Sequence, residues 1–204
     1  MAGGAIQHKL PRIALIVAAL LASSVGAQNK VVKNQQAEQT SFGSDVAPGQ
    51  VLIDRPVEVP KGALQVLRNT EKVLQCIEFE KMTPEQVPAS WFTASEIHLN
   101  GPDEIDLIVQ PALMTRESPP PDNSCLQGAH VAPFWVLRKR GQRYELLLET
   151  YADVLHVLDS RTKEYRDIEE FTTSVATIMS TTLRFDGEKY QPFERQEKPA
   201  GTSP

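Results

Sequence analysis

Apolar residues recur along this chain in three rhythms, and each predicts a different kind of element. Ala63, Val66, Leu67, Thr70, Val73, Leu74 and Ile77 fall at spacings of three, four and one, which lays them along one stripe of a helix. Pro60 stands just ahead of the stripe. Asn69-Thr70 divides it, either within a helix or between a helix and a following strand. Thr83-Pro84-Glu85-Gln86 then sets a cap, a first-turn proline and a capping-box glutamine in order, so a short second helix is expected there. Trp91 and Phe92 are expected as core contacts.

From Glu96 the rhythm shortens to that of strands and turns. Ile97-His98-Leu99 runs into Asn100-Gly101-Pro102-Asp103, a turn by composition, and Leu107-Ile108-Val109 follows as a short β-rich run. Residues 111–125 contain Pro119-Pro120-Pro121-Asp122-Asn123, which excludes a central strand and predicts a surface loop. Phe134 to Lys139 and Tyr144 to Glu149 predict a hairpin around Gly141, and Val154 to Leu158 predicts another strand. Ile178 to Phe185 and Lys189 to Phe193 predict a second hairpin, whose Asp186-Gly187 suits a type I′ turn. Met179, Thr181, Leu183 and Phe185 alternate with Ser180, Thr182 and Arg184, as on a half-buried strand.

The third rhythm is the unbroken apolar run Ile13 to Ala22, flanked by His8, Lys9 and Arg12 and followed by the small residues Val25-Gly26-Ala27. A basic flank, a short apolar core and a small-residue exit predict a secretory signal peptide over residues 1–27. The run is short of the ~20 residues that span a bilayer as a helix, so no integral membrane span is expected after cleavage. Nor does a cysteine stand at the cut to carry a lipid. Residues 28–59 read as a flexible polar linker, 60–194 as a single globular domain and 195–204 as a disordered tail. The fold class expected is α+β, with N-terminal helices packed on a twisted antiparallel β meander.

The strand region looks internally duplicated. Asp106-Leu107 matches Asp167-Ile168, and Gly141-Gln142-Arg143-Tyr144 matches Gly187-Glu188-Lys189-Tyr190, a shared G-x-[RK]-Y. Asp106 precedes Gly141 by 35 positions and Asp167 precedes Gly187 by 20; the difference of 15 is the length of the stretch 111–125. The alternative is convergence of hairpin turn chemistry.

Composition changes this picture in two ways. Loss of Lys9 and Arg12 with the leader takes the net charge from −5 to −7, which argues against nucleic acid as a partner. In an exported chain, the lone pair Cys76 and Cys125 reads first as one disulfide.

Candidate chemistry is sparse. The run His98 to Val109 resembles the loop-then-strand of FG-GAP repeats, whose D-x-[DN]-x-D-G-x-x-D loop holds calcium. Asn100 and Asp106 stand at its third and ninth places with Asp103 in the same turn, whereas His98 and Pro102 occupy two places where the pattern has oxygen ligands. The resemblance implies calcium as a ligand of Asn100, Asp103 and Asp106; otherwise no cofactor is expected, and the loop reads as a turn whose last aspartate accepts backbone N–H groups. The counterpart from Asp159 to Asp167 carries Arg161 and Lys163, which repel a metal.

Cys125-Leu126-Gln127-Gly128-Ala129, Pro133-Phe134-Trp135, Tyr165-Arg166-Asp167-Ile168 and Phe185-Asp186-Gly187-Glu188-Lys189-Tyr190 together resemble small secreted bacterial β-rich proteins with no assigned activity. That resemblance implies a location and a β-rich fold, and no reaction. The chain contains no G-x-S-x-G, H-E-x-x-H, Walker or C-x-x-C motif, and His98, His130 and His156 lie in separate segments without ligand spacing.

Arg138, Lys139, Arg140 and Arg143 cluster at one hairpin end. They read either as charge that keeps a strand pair soluble or as a contact for an anionic wall polymer or lipid headgroup. Trp135, beside Phe134, reads as core; an exposed Trp would instead be a stacking surface for carbohydrate or a partner. The function expected is a non-catalytic secreted or periplasmic binding or structural module of the cell envelope, its partner an envelope polymer or protein. The alternatives are a secreted hydrolase using Asp103, Glu104 and Asp106, or an inhibitor of a secreted enzyme.

Overall fold

The computed structural model describes residues 38–43, 53, 55–112, 123–128 and 131–200. The expected leader, most of the expected linker, most of the proline-rich stretch, His130 and the last four residues lie outside them. The described residues form a β-dominated fold of two antiparallel sheets and two α-helices. In chain order these are β1 (Ser41–Gly43), α1 (Lys61–Leu67), α2 (Glu71–Glu80), β2 (Phe92–Ile97), β3 (Asp106–Pro111), β4 (Ala132–Arg140), β5 (Arg143–Ala152), β6 (Val154–Thr162), β7 (Tyr165–Thr173), β8 (Thr177–Phe185) and β9 (Tyr190–Pro199). One sheet runs β2-β3-β4-β5 and the other β1-β6-β7-β8-β9.

The apolar stripe at 63–77 is two helices rather than one. Thr70 is buried and its Oγ1 donates to the Leu67 carbonyl at 2.8 Å, so the chain turns there and restarts at Glu71. The N-terminus of α2 is closed from a distance: Glu149 on β5 accepts the backbone N–H groups of Glu71 and Lys72 at 3.1 and 2.9 Å. Thr83-Pro84-Glu85-Gln86 does form a capping box, with the Thr83 N–H donating to Gln86 Oε1 at 2.7 Å, but it caps a single 3₁₀ turn.

The inner strands β3 and β4 of the β2-β3-β4-β5 sheet are buried on both faces. Leu107, Val109, Trp135 and Leu137 share a core with Ala63, Leu64, Leu67, Val73, Cys76 and Ile77 of the helices. Their neighbours Ile108, Phe134 and Val136 point the other way, into a second core with Leu155, Ile168, Leu183 and Phe185 of the other sheet. This explains why β3 and β4 read as continuous apolar runs and not as alternating ones. No helix among the described residues is long and apolar enough to cross a membrane.

Strand pairing repeats between the sheets. Leu107, one residue after Asp106, pairs with Leu137; Ile168, one after Asp167, pairs with Leu183. Each hairpin carries an unpaired extra residue at the same offset from its turn glycine, Leu147 after Gly141 and Phe193 after Gly187.

Local details depart from the sequence expectations in four places. Ser41–Gly43, within the expected linker, pairs with β6, because Phe42 finds a fully buried site between the sheets. Just before it, Glu38 accepts the His98 N–H at 2.6 Å and the Arg166 Nη1–H at 2.9 Å. β9 continues to Pro199, through residues expected to be a disordered tail, because β8 offers it a ladder as far as Thr177. The Asp186-Gly187 turn is a four-residue connection, since Asp186 Oδ1 accepts both the Glu188 and Lys189 N–H groups at 2.7 and 2.8 Å. Two consecutive left-handed residues, as a type I′ turn requires, occur instead at Lys163 and Glu164, with φ of 49° and 72°.

Cys76 and Cys125 form a disulfide with Cα atoms 5.3 Å apart, joining α2 to a short 3₁₀ turn at Ser124–Leu126. It closes a sequence separation of 49 residues, worth roughly 4 kcal/mol in the chain-entropy treatment. The double variant Cys76→Ser, Cys125→Ser is expected to unfold at clearly lower urea than the oxidised protein, by about that free energy. Equal urea midpoints for the two would overturn this.

Candidate functional site

The loop between β2 and β3 and the far end of β4 stand on two sides of a groove of about 550 Å³. Asn100, Asp103, Glu104 and Ile105 line it from the loop; Arg138, Lys139, Arg140 and Gly141 line it from β4 and its turn; Tyr165 completes it from β7. The volume lies within the ~300–1,000 Å³ of small-ligand sites. Two sequence features some 35 residues apart, the acidic turn and the basic cluster, thus face one space.

The local sequence explains each wall. Gly101-Pro102 bends the loop, the Glu104 N–H donates to the Gly101 carbonyl at 3.4 Å, and Asn100 Nδ2 donates to Glu104 Oε2 at 3.2 Å. On the other wall, Gly141 takes φ of 61° at the first position of a two-residue turn, a conformation that favours glycine. The tight turn sets Arg138 directly opposite Glu145 on β5.

Arg138 is only 8 % exposed and is fully engaged. Its Nε donates to Glu145 Oε2 at 3.1 Å, its Nη1 donates to the Tyr165 hydroxyl at 3.0 Å, and its guanidinium lies 5.7 Å from the Tyr165 and Phe185 ring centres. Arg140 Nε donates to the same Glu145 oxygen at 3.0 Å. The two arginines hold the Glu145 carboxyl below its ordinary range, Arg138 through its hydrogen bond above all. Glu145 therefore answers much of the arginine charge.

Behind the groove lies Asp106, with no exposed surface. Its Oδ1 accepts the Lys139 N–H at 3.0 Å, and a Leu99 backbone N–H also stabilises its charge, so it braces both walls. Among the described residues its Oδ2 is buried without a hydrogen-bond partner. Burial first, and the charge of Glu104 second, push its carboxyl up to about 6. Asp167 is also buried; its Oδ2 accepts the Ser160 hydroxyl at 2.8 Å, and its Oδ1 has no hydrogen-bond partner among the described residues.

The structure separates several residues grouped by sequence. Asp103 is exposed on the loop while Asp106 is buried with its Oδ1 on the Lys139 N–H; Asn100 and Asp103 line the groove and Asp106 does not. Among the described residues no three His, Cys, Asp or Glu side chains are placed to hold a metal. Trp135 is a core residue, not a surface platform: it is fully buried, stacks edge-on against Phe92 at 5.5 Å, and its Nε1 donates to Glu149. Arg143 sits across the hairpin from Arg140, outside the groove lining. His98 pairs through Nδ1 with Glu38 at 2.7 Å, and His156 stacks on Phe171 at 4.9 Å.

Tyr165 and Glu145 are the site residues that sequence reasoning missed. Glu145 was legible in principle, since a two-residue turn at Gly141 fixes its partner as Arg138. Tyr165 arrives from the other sheet and carries no local signal. No protein family, curated protein or solved structure matches this chain.

Asp106 yields a pH prediction. Its carboxyl binds a proton more readily folded than unfolded, so its contribution to stability is complete below about pH 4 and is lost as pH rises through about 6. The loss is about 2–3 kcal/mol. Asp106→Asn, which is neutral throughout, is expected to remain at a higher urea midpoint than the wild type at pH 8 and to converge with it near pH 4. Parallel pH profiles for the two proteins would refute the assignment.

Proposed function

We propose that this protein is a non-catalytic binding module of the cell envelope, secreted or periplasmic, and that the groove between the Asn100–Ile105 loop and the end of β4 is its ligand site. The observation that carries this reading is the meeting of acidic and basic walls around one ligand-sized space. The disulfide fits an oxidising compartment. A rigid scaffold supports the reading: the basic wall of the groove continues β4, a strand covered on both faces, and is anchored by the Arg138 bonds to Glu145 and Tyr165. Binding sites built on such elements are pre-organised.

The same reading takes β2–β5 and β6–β9 as two copies of one four-stranded meander. Shared pairing of the residue after the aspartate, and the shared offset of the extra hairpin residue, support it. On that view the copies have diverged: Leu147 is buried between the sheets, whereas Phe193 is 59 % exposed with the Arg184 guanidinium 3.4 Å from its ring centre.

A second reading is a hydrolase. It is favoured by the raised Asp106 carboxyl close behind a groove that displays Asp103 and Glu104. Asp106 does not line the groove, which ranks this reading below binding.

Co-sedimentation with insoluble bacterial wall material separates the readings. Wild-type protein is expected in the pellet, Ile105→Trp is expected to bind at least about tenfold more weakly by filling the groove, and Arg143→Ala is expected to bind as wild type. A groove-filled variant that pellets normally would overturn the site. Release of soluble fragments from the pelleted wall by the wild type, abolished in Asp103→Asn, would establish the hydrolase instead.

A further inference from the structure

The charge arrangement of the groove narrows the class of ligand, given that the groove is the binding site. Three cationic side chains line it, Arg138, Lys139 and Arg140; facing or bracing them are three carboxylates, Asp103, Glu104 and Glu145. These six charges sum to zero and Asp106 behind them adds a negative one at neutral pH, so a uniformly anionic polymer gains little there: what the β4 wall attracts, Asp103 and Glu104 repel. Nor do the walls neutralise each other. Among the described residues no ion pair joins Asp103 or Glu104 to Arg138, Lys139 or Arg140, because both arginines turn to Glu145. Lys139 has no side-chain ion pair or hydrogen bond among these residues, and Asp103 likewise has none.

Tyr165 adds a directed donor. Its side chain is buried to within 6 % of full coverage, yet it lines the groove. Its oxygen accepts from Arg138 Nη1, so its own O–H remains to be donated, and no acceptor for it occurs among the described residues. The cationic neighbour makes that O–H a better donor to an anionic oxygen. The groove thus offers a carboxylate pair on one wall, and an ammonium with a hydroxyl donor on the other.

We infer that the ligand is a zwitterionic, peptide-like molecule, bound with its ammonium group at Asp103 and Glu104 and its carboxylate at Lys139 and the Tyr165 hydroxyl. Charge-assisted hydrogen bonds at both ends supply the discrimination, and a short peptide suits the volume.

The test uses the full chain and three probes by calorimetric titration: alanyl-alanine, its N-acetyl derivative and its C-terminal amide. Each cap is expected to weaken binding about tenfold or more. Asp103→Asn is expected to erase the penalty for acetylation alone, and Lys139→Gln the penalty for amidation alone. Tyr165→Phe, which keeps the ring, is expected to weaken the free acid and leave the amide unchanged; circular dichroism confirms that each variant is folded. Equal affinity for capped and free dipeptides would overturn the inference, as would no dipeptide binding by a protein whose wall binding is still lost in Ile105→Trp. In both cases the groove would remain a binding site for another class of ligand. If Ile105→Trp leaves wall binding intact, the site itself falls.

Discussion

Burial of the inner strands β3 and β4 on both faces is the constraint from which the rest of the structure follows. Strands covered by two cores have little water beside them, so their polar groups depend on partners inside the protein. Glu149 shows how this is met. It caps the N-terminus of α2 and receives the Trp135 indole N–H, tying the helical layer to β4 and β5 through one carboxylate. Cys76–Cys125 joins the same helix covalently to the Ser124–Leu126 turn. The two cores meet at this sheet.

The groove lies where that layer runs out. β4 is buried as far as Arg138 and exposed from Lys139 on, so the strand passes from core to solvent within one residue. Arg138 makes the transition with its charge answered by Glu145 and Tyr165, while Lys139 and Arg140 emerge beyond it. On the neighbouring strand, Asp106 marks the same boundary from inside. An ionised carboxylate held there at neutral pH costs stability, and its raised affinity for a proton measures that cost. In return it holds Lys139 and Leu99, one on each side of the groove.

Much of this was legible in the chain. The Cys76–Cys125 pairing follows from there being two cysteines, and the hairpin at Gly141 and the strand pairs around Gly187 follow from short-range chemistry and spacing. The acidic turn and the basic hairpin end were both legible, but as separate features with separate meanings. Turn details were less legible: Lys163-Glu164 adopts the left-handed pair that Asp186-Gly187 composition promised, because Arg161 Nη1 donates to the Glu164 carbonyl and Lys163 Nζ to the Asp186 carbonyl, holding the turn from outside. Trp135, beside Phe134 in an apolar run, reads as core from the sequence, and it is fully buried.

Sequence alone determined the strand-rich character, the places where the chain reverses, and which residues carry charge, because these depend on neighbours a few positions apart. It also contained the matching offsets from Asp106 to Leu107 and from Gly141 to Tyr144 that recur at Asp167 and Gly187. Only the tertiary structure decided that β3 and β4 are covered on both faces, that Asp106 turns inward while Asp103 turns out, and that Tyr165 crosses from the second sheet to meet Arg138. Those outcomes depend on contacts between segments far apart in the chain, and no local pattern records which face of a strand another layer will cover.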